Sequence, residues 1–355
     1  MSGLPWYELD VLAVGDGERS GDAMAMRYSV DGGPCSVAVI DGGNQDTGQE
    51  LVDLIRREYR TDFVNNVINT HPDSDHSSGL SVVLDQLRVG TLWMHKPWER
   101  APTILDAFGD DRLTETSVSR RVREALCAAH AVYELAIERR VPVIEPFQGA
   151  VIDGLVVMSP TMKQYLELLP HFRSTPPAAV KSPLPTTARG LAGLVAEAVA
   201  SWVPATPANE NASLGRSATA AENETSVVLF GDFGGEKILL TGDAGQLALT
   251  MAATFAAQHS VALNDLRLLQ VPHHGSRNNL SASVLNMISA RTAFVSAAAR
   301  SPTHPRRAVT NALQRRGTDV YATRGKGLRF QLNAPARAGW GPAAAVPWYD
   351  AIEAA

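Results

Sequence analysis

Apolar and polar positions recur at two periods along this chain. Positions 9–14 form an apolar run, 23–30 alternate, and 36–40 are apolar up to Asp41-Gly42-Gly43, so the opening predicts strands joined by tight turns. Leu51, Leu54, Ile55 and Tyr59 fall on one helical face over 49–60. Residues 63–68 read as a buried strand, 79–87 as a helix and 91–94 as the next strand. From Glu224 the alternation resumes. Strands at 226–230 and 237–240 flank Gly231-Asp232-Phe233-Gly234-Gly235, and a helix leads to a strand at 266–271. A second helix, a strand at 293–296, the turn Pro302-Thr303-His304-Pro305, a helix to Arg315 and a strand at 320–323 follow. A β-rich start followed by strands alternating with helices predicts a layered α/β architecture.

Between these halves the pattern changes. Residues 117–140 predict a long helix rich in Ala, Arg and Glu, and 151–158 a strand. Residues 175–187 and 203–217 are rich in Pro, Ala, Ser and Thr and flank a short helix predicted at 191–202. The division expected is a main body of 1–96 and 222–335, an insertion of 97–221 that is helical and then Pro/Ala-rich, partly mobile over 169–221, and a C-terminal tail of 336–355. No repeat is visible at a period of 20–50 residues.

The 355 residues are 45% hydrophobic and 19% charged, with a formal net charge of -5. That supports an ordinary core and argues against a surface uniformly basic for nucleic acid. Local basic groups remain at Arg120, Arg121 and Arg123, at Arg306 and Arg307, and at Arg324, Lys326 and Arg329. Two cysteines, Cys35 and Cys127, make no disulfide framework. The acidic start and the lack of an apolar run of about 20 residues predict a cytoplasmic protein with no membrane partner.

Chemistry concentrates at strand ends. His71-Pro72-Asp73-Ser74-Asp75-His76 packs four metal-ligand types into six residues after an apolar strand. A capping loop would need one such residue, not four, whereas imidazole with carboxylate suits zinc, manganese or iron. Asp243 ends a second apolar strand and His273-His274 a third. Alone, a Gly-Asp turn or a histidine pair is unremarkable; in order, at three strand ends, they suggest one site.

These motifs resemble the metallo-β-lactamase superfamily. Val39-Ile40-Asp41-Gly42-Gly43 looks like its first motif, and His-x-Asp-x-Asp-His stands where His-x-His-x-Asp-His is usual. With Asn223-x-x-Ser226, Leu239-Leu240-Thr241-Gly242-Asp243-Ala244, Val271-Pro272-His273-His274-Gly275-Ser276, Thr303-His304-Pro305 and Tyr321-Ala322-Thr323-Arg324-Gly325, the set is similar to the hydrolase domain of ComEC-type DNA-uptake proteins over roughly 6–95 and 222–332. These residues offer no match to the membrane channel of that family, so DNA import is not expected to carry over.

The resemblance implies an αββα sandwich and two divalent metal ions, Mn or Zn, holding a hydroxide between them. The first ion would have His71, Asp73 and bridging Asp243, with Asn223 or water where the family usually places histidine. The second would have Asp75, His76, Asp243 and one of the paired histidines, taken as His274. Asp75 would orient the hydroxide, and His273, Ser276 or His304 would donate to developing charge. An oxygen-rich first position leans toward manganese; His95, His130 or His171 could replace the missing imidazole. Asp22 is a weaker candidate at the rim.

The function expected is a metal-dependent phosphodiesterase or nuclease acting on DNA. Alternatives are a small-molecule phosphoester, lactone or thioester hydrolase, or an effector gated by a protein partner on the insertion.

Overall fold

The computed structural model describes residues 3–15, 17–107, 113–173 and 201–355. The helix expected at 191–202 and the stretch 175–187 lie wholly or almost wholly outside the described residues. In chain order the strands are β1 Trp6–Val11, β2 Ala23–Ser29, β3 Ser36–Gly42, β4 Phe63–Ile68, β5 Arg88–Trp93, β6 Val143–Ile144, β7 Val151–Ile152 and β8 Leu155–Ser159. Then come β9 Trp202–Pro204, β10 Val228–Phe233, β11 Glu236–Leu240, β12 Leu266–Gln270, β13 Ala290–Val295, β14 Asp319–Ala322, β15 Leu328–Leu332 and β16 Ala351–Glu353.

They form two seven-stranded sheets, β15-β1-β2-β3-β4-β5-β6 and β14-β13-β12-β11-β10-β8-β7, and a small pair, β16-β9. The period-2 alternation assigns each strand two faces. Met24, Met26, Tyr28, Ala38 and Ile40 meet Leu229, Ile238, Leu240 and Leu268 of the other sheet in one core. Their neighbours Ala23, Ala25, Val37 and Val39 face outward onto a second core with helices Gln45–Leu54 and Leu80–Gln86. Val228, Phe230 and Leu239 turn outward onto a third, with helices Gln246–Gln258 and Arg307–Gln314. Helix, sheet, sheet, helix is the αββα sandwich expected.

Strand direction puts the site at one end. β3, β4 and β5 run parallel, as do β11, β12, β13 and β14. Loops leaving β3, β4, β11, β12 and β13 therefore emerge on a common rim, and β2, antiparallel to β3, begins there.

Several sequence expectations change. Positions 151–158 are not one strand: Asp153 (φ 46°) and Gly154 (φ 93°) turn them into the hairpin β7–β8, which pairs with β10. An Asp-Gly step favours that turn because both residues take positive φ. The stretch 143–159 thus belongs to the sandwich rather than to an insertion, since β6 extends the first sheet and β8 the second. The long helix at 117–140 is two helices, Glu115–Ala125 and Cys127–Glu138, broken at Leu126 (φ −104°, ψ 38°).

The stretch 203–217 is well packed despite its composition. Leu214 joins the outer core, the buried Glu210 pairs with Arg315, and Trp202 opens a strand rather than closing a helix. The C-terminal residues are a strap rather than a loose tail. β16 pairs with β9, and the buried Glu353 carboxylate accepts from the amides of Arg307 and Ala308 (both 3.0 Å), capping helix Arg307–Gln314. β15 was not anticipated, although Leu328-Arg329-Phe330-Gln331-Leu332 alternates apolar and polar.

Candidate metal centre

The loops after β4, β11 and β12 bring the predicted residues together around one carboxylate. Asp243 Oδ2 lies 3.7 Å from His71 Nε2 and 3.6 Å from His273 Nε2. Its Oδ1 lies 3.4 Å from His76 Nε2 and 3.9 Å from His274 Nε2. Asp73 Oδ2 is 3.9 Å from His71 Nε2, while Asp75 Oδ2 is 4.0 Å from His76 Nε2 and 3.8 Å from His274 Nε2. Each Asp243 oxygen therefore faces two imidazoles; Asp75 shares both His76 and His274, while Asp73 shares His71.

The tautomers follow from what lies behind each ring. Asp41 accepts from the Thr70 amide (2.8 Å) and hydroxyl (2.6 Å), so its carboxylate also takes the proton on His76 Nδ1 (2.8 Å). The Thr70 hydroxyl, having given its hydrogen to Asp41, accepts from His71 Nδ1 (3.1 Å). One carboxylate thus orients two imidazoles with Nε2 toward Asp243. Asn279 does the same for His273. Its Nδ2 donates to the carbonyls of Asp243 (2.9 Å) and Ala244 (3.3 Å), which leaves Oδ1 to accept from His273 Nδ1 (3.0 Å). Behind His274, Asp22 Oδ1 stands 3.8 Å from Nδ1.

The local backbone is shaped for this convergence. His273 (φ 48°, ψ 50°) and His274 (φ 56°, ψ 22°) are consecutive left-handed residues, followed by Gly275 (φ 81°). Such conformations cost about 1–3 kcal/mol at each non-glycine position, and here they aim both rings at one carboxylate. Gly242 (φ 51°) lets the Asp243 turn approach Thr70, where a Cβ would fall 2.7 Å from the hydroxyl oxygen. Gln270 Oε1 accepts from the amides of Thr241 (2.6 Å) and Gly242 (2.8 Å), and its Nε2 donates to Asp22 (2.7 Å), bracing that turn.

The cluster's electrostatics call for a cation. Burial opposes charge on His76, but Asp243 and Asp41 outweigh it and raise the imidazole well above its ordinary value. Burial likewise opposes charge on His274, yet Asp243, Asp75 and Asp22 push it up to about 9. His71 goes the other way, lowered by burial and by His76. Burial works to raise Asp243, and the surrounding histidines hold it well below the carboxylate range. Nε2 of His71, His76 and His274 and Oδ1 of Asp243 are buried with no hydrogen-bond partner. Four orphaned donor atoms converging in a buried pocket are what a divalent metal satisfies, so the residues fit such an ion. Asp75, His76 and His274 present ligand atoms within 4.8 Å of one another.

Some predicted residues stand elsewhere. Asn223 stands beside His273: its Nδ2 lies 3.2 Å from His273 Nδ1, its Oδ1 is buried with no hydrogen-bond partner, and His273 Nε2 faces Asp243. His273 thus places a second imidazole beside the Asp243 oxygen that faces His71. Ser276 accepts from the Asn278 amide (3.3 Å) within its own loop. His304 sits at the rim, its ring 6.0 Å from that of His273; burial and then the two neighbouring histidines lower it to about 3, so it is neutral. His95 is packed between Phe147 and Tyr165, and His130 lies against Trp98 and Tyr133. His171, in the short helix Leu169–His171, is buried and lowered by that burial.

A cavity of about 460 Å³ opens beside the cluster, with Asp73 and Asp75 on one wall, Ala125–Ala128 on another, and Arg173 and Glu222 between them. Arg173 and Glu222 carried no motif, and only the fold brings them here.

Comparison with known proteins agrees with the geometry. The model of the metallo-beta-lactamase superfamily matches residues 28–299, and the chain belongs to that superfamily, whose members are mostly hydrolytic enzymes. No curated protein matches it in sequence. Among solved structures, Zn2+-bound PqqB from Methylobacterium extorquens is 14% identical over 92% of this chain and 100% of its own, with a TM-score of 0.45. A long-form RNase Z from yeast is 11% identical over 82% of this chain and 37% of its own, with a TM-score of 0.32. Among the described residues, no helix is long and apolar enough to cross a membrane.

Proposed function

We propose that this chain is a two-metal phosphodiesterase acting on nucleic acid. The carrying observation is the division of Asp243, whose Oδ2 faces His71 and His273 and whose Oδ1 faces His76 and His274. The first ion would be held by His71, Asp73, His273 and Asp243, the second by Asp75, His76, His274 and Asp243. Two imidazoles and two carboxylates at each position suit zinc or manganese. When bound, such ions supply Lewis acidity and a water that ionises near neutral pH.

The chain's own residues supply the rest. Asp75, whose side chain is 42% exposed, faces the cavity and would orient the attacking water. His304, neutral beside His273 and His274, would donate a hydrogen bond to the substrate's developing charge. DNA as the substrate rests on the sequence likeness to the DNA-uptake hydrolase domain. The cavity favours a second reading: at about 460 Å³ it accommodates a single nucleotide or a small phosphoester, which would make the chain a small-molecule hydrolase.

The test is to strip the protein, restore zinc or manganese singly, and assay plasmid, single-stranded DNA and bis(p-nitrophenyl) phosphate beside a neutral ester. Nuclease action predicts DNA cleavage that declines as salt rises and is lost in Asp75→Ala and Asp243→Ala. Turnover of the small diester alone supports the second reading. No phosphodiester cleavage with either metal, or undiminished cleavage by Asp243→Ala, would overturn the assignment.

A further inference from the structure

Arg173 holds one of the proposed ligands from outside the cluster. Its guanidinium donates through Nη2 to both Asp73 oxygens, at 2.7 and 2.6 Å. Its Nε lies 3.3 Å from Glu222 Oε1, and its backbone amide donates to that same oxygen (2.6 Å). Glu222 is buried, and its Oε2 has no hydrogen-bond partner. One cation is thus shared by two carboxylates at the wall of the site cavity.

The two ion positions differ in this respect. Around the second, Asp75 faces His76 and His274. Around the first, the Asp73 charge is already matched by a guanidinium, and His273 is the more exposed of the paired histidines, at 33% against 5% for His274. A carboxylate neutralised by arginine is a poorer donor to a divalent ion, and an ion on Asp73 would sit beside a like charge in a partly desolvated wall.

We propose that Arg173 competes with the first metal ion for Asp73, so that the two positions load in order, the Asp75–His76–His274 side first. Glu222 is the second holder of the arginine: its carboxylate draws the guanidinium away from Asp73 and eases loading of the first position. The consequence is an exchangeable first ion beside a resident second one. This rests on the two-ion reading above.

The experiment is a titration of stripped full-length protein with zinc, followed by competition with a chromophoric chelator, so that affinities are read without any substrate. Wild-type protein should take up two ions whose affinities differ by about tenfold or more, the weaker step vanishing in His71→Ala and the tighter in His274→Ala. Arg173→Gln, which keeps hydrogen-bond donors but removes the charge, should tighten the weaker step about tenfold and leave the tighter one unmoved. Glu222→Gln should shift the weaker step the opposite way, a reversal that general loosening of the fold would not produce. Two wild-type steps that Arg173→Gln leaves unchanged, or weakens, overturn the competition while sparing the two-ion reading. Fewer than two ions bound by wild-type protein overturns both.

Discussion

Asp41 lies one shell outside the proposed ligands and yet governs two of them, directly through His76 Nδ1 and by way of the Thr70 hydroxyl through His71. Asp41→Asn keeps the shape but puts an amide where His76 needs an acceptor. Partners of this kind are worth about 10–100-fold in metal affinity, so the variant should bind zinc that much more weakly in chelator competition, with its circular dichroism unchanged. Wild-type affinity would show that the tautomers are set elsewhere. His71, Asp73, Asp75, His76, Asp243 and His274 were legible in sequence because their types are unusual together and each follows an apolar strand. Asn279, Gln270, Arg173 and Glu222 were not, because each is an ordinary residue whose role comes from tertiary neighbours. A motif position fixes where a residue falls along the chain, whereas the left-handed turn at His273 and His274 sets how both rings reach Asp243.

At the scale of elements, periodicity located most strands, and composition misjudged what holds the chain between them. Proline and alanine suggested a loose stretch through 203–217, but a short segment needs only a few anchors, and Leu214 and the Glu210–Arg315 pair supply them. The hairpin β7–β8 was concealed because apolar residues continue on both sides of Asp153-Gly154. A prediction follows for the boundaries of any trimming. Replacing 174–200 with a Gly/Ser linker should leave the melting temperature within about 1.5 °C of wild type, an interval that corresponds to roughly 1 kcal/mol in a chain this size. Extending the deletion through 221 removes β9, Glu210 and Leu214 and should give insoluble or far less stable protein. Equal stability of the two deletions in a thermal melt would contradict the packing role given to 201–221.

For the molecule as a whole, two sheets facing one another across a shared core bring strand ends from distant sequence to one rim, so that residues 71 and 243 meet at 3.7 Å. The sandwich was legible because its strands are long enough to carry a period, and the converging rim follows from their parallel runs. The proposed site holds two ions at this rim, one on either side of Asp243. The most direct measurement is anomalous diffraction at the zinc edge from zinc-loaded crystals of the full chain. Two peaks about 3.5–4 Å apart are expected, one beside His71 and His273 and the other beside His76 and His274, with Asp243 between them. A single peak, or peaks that leave Asp243 without a metal contact, would contradict it.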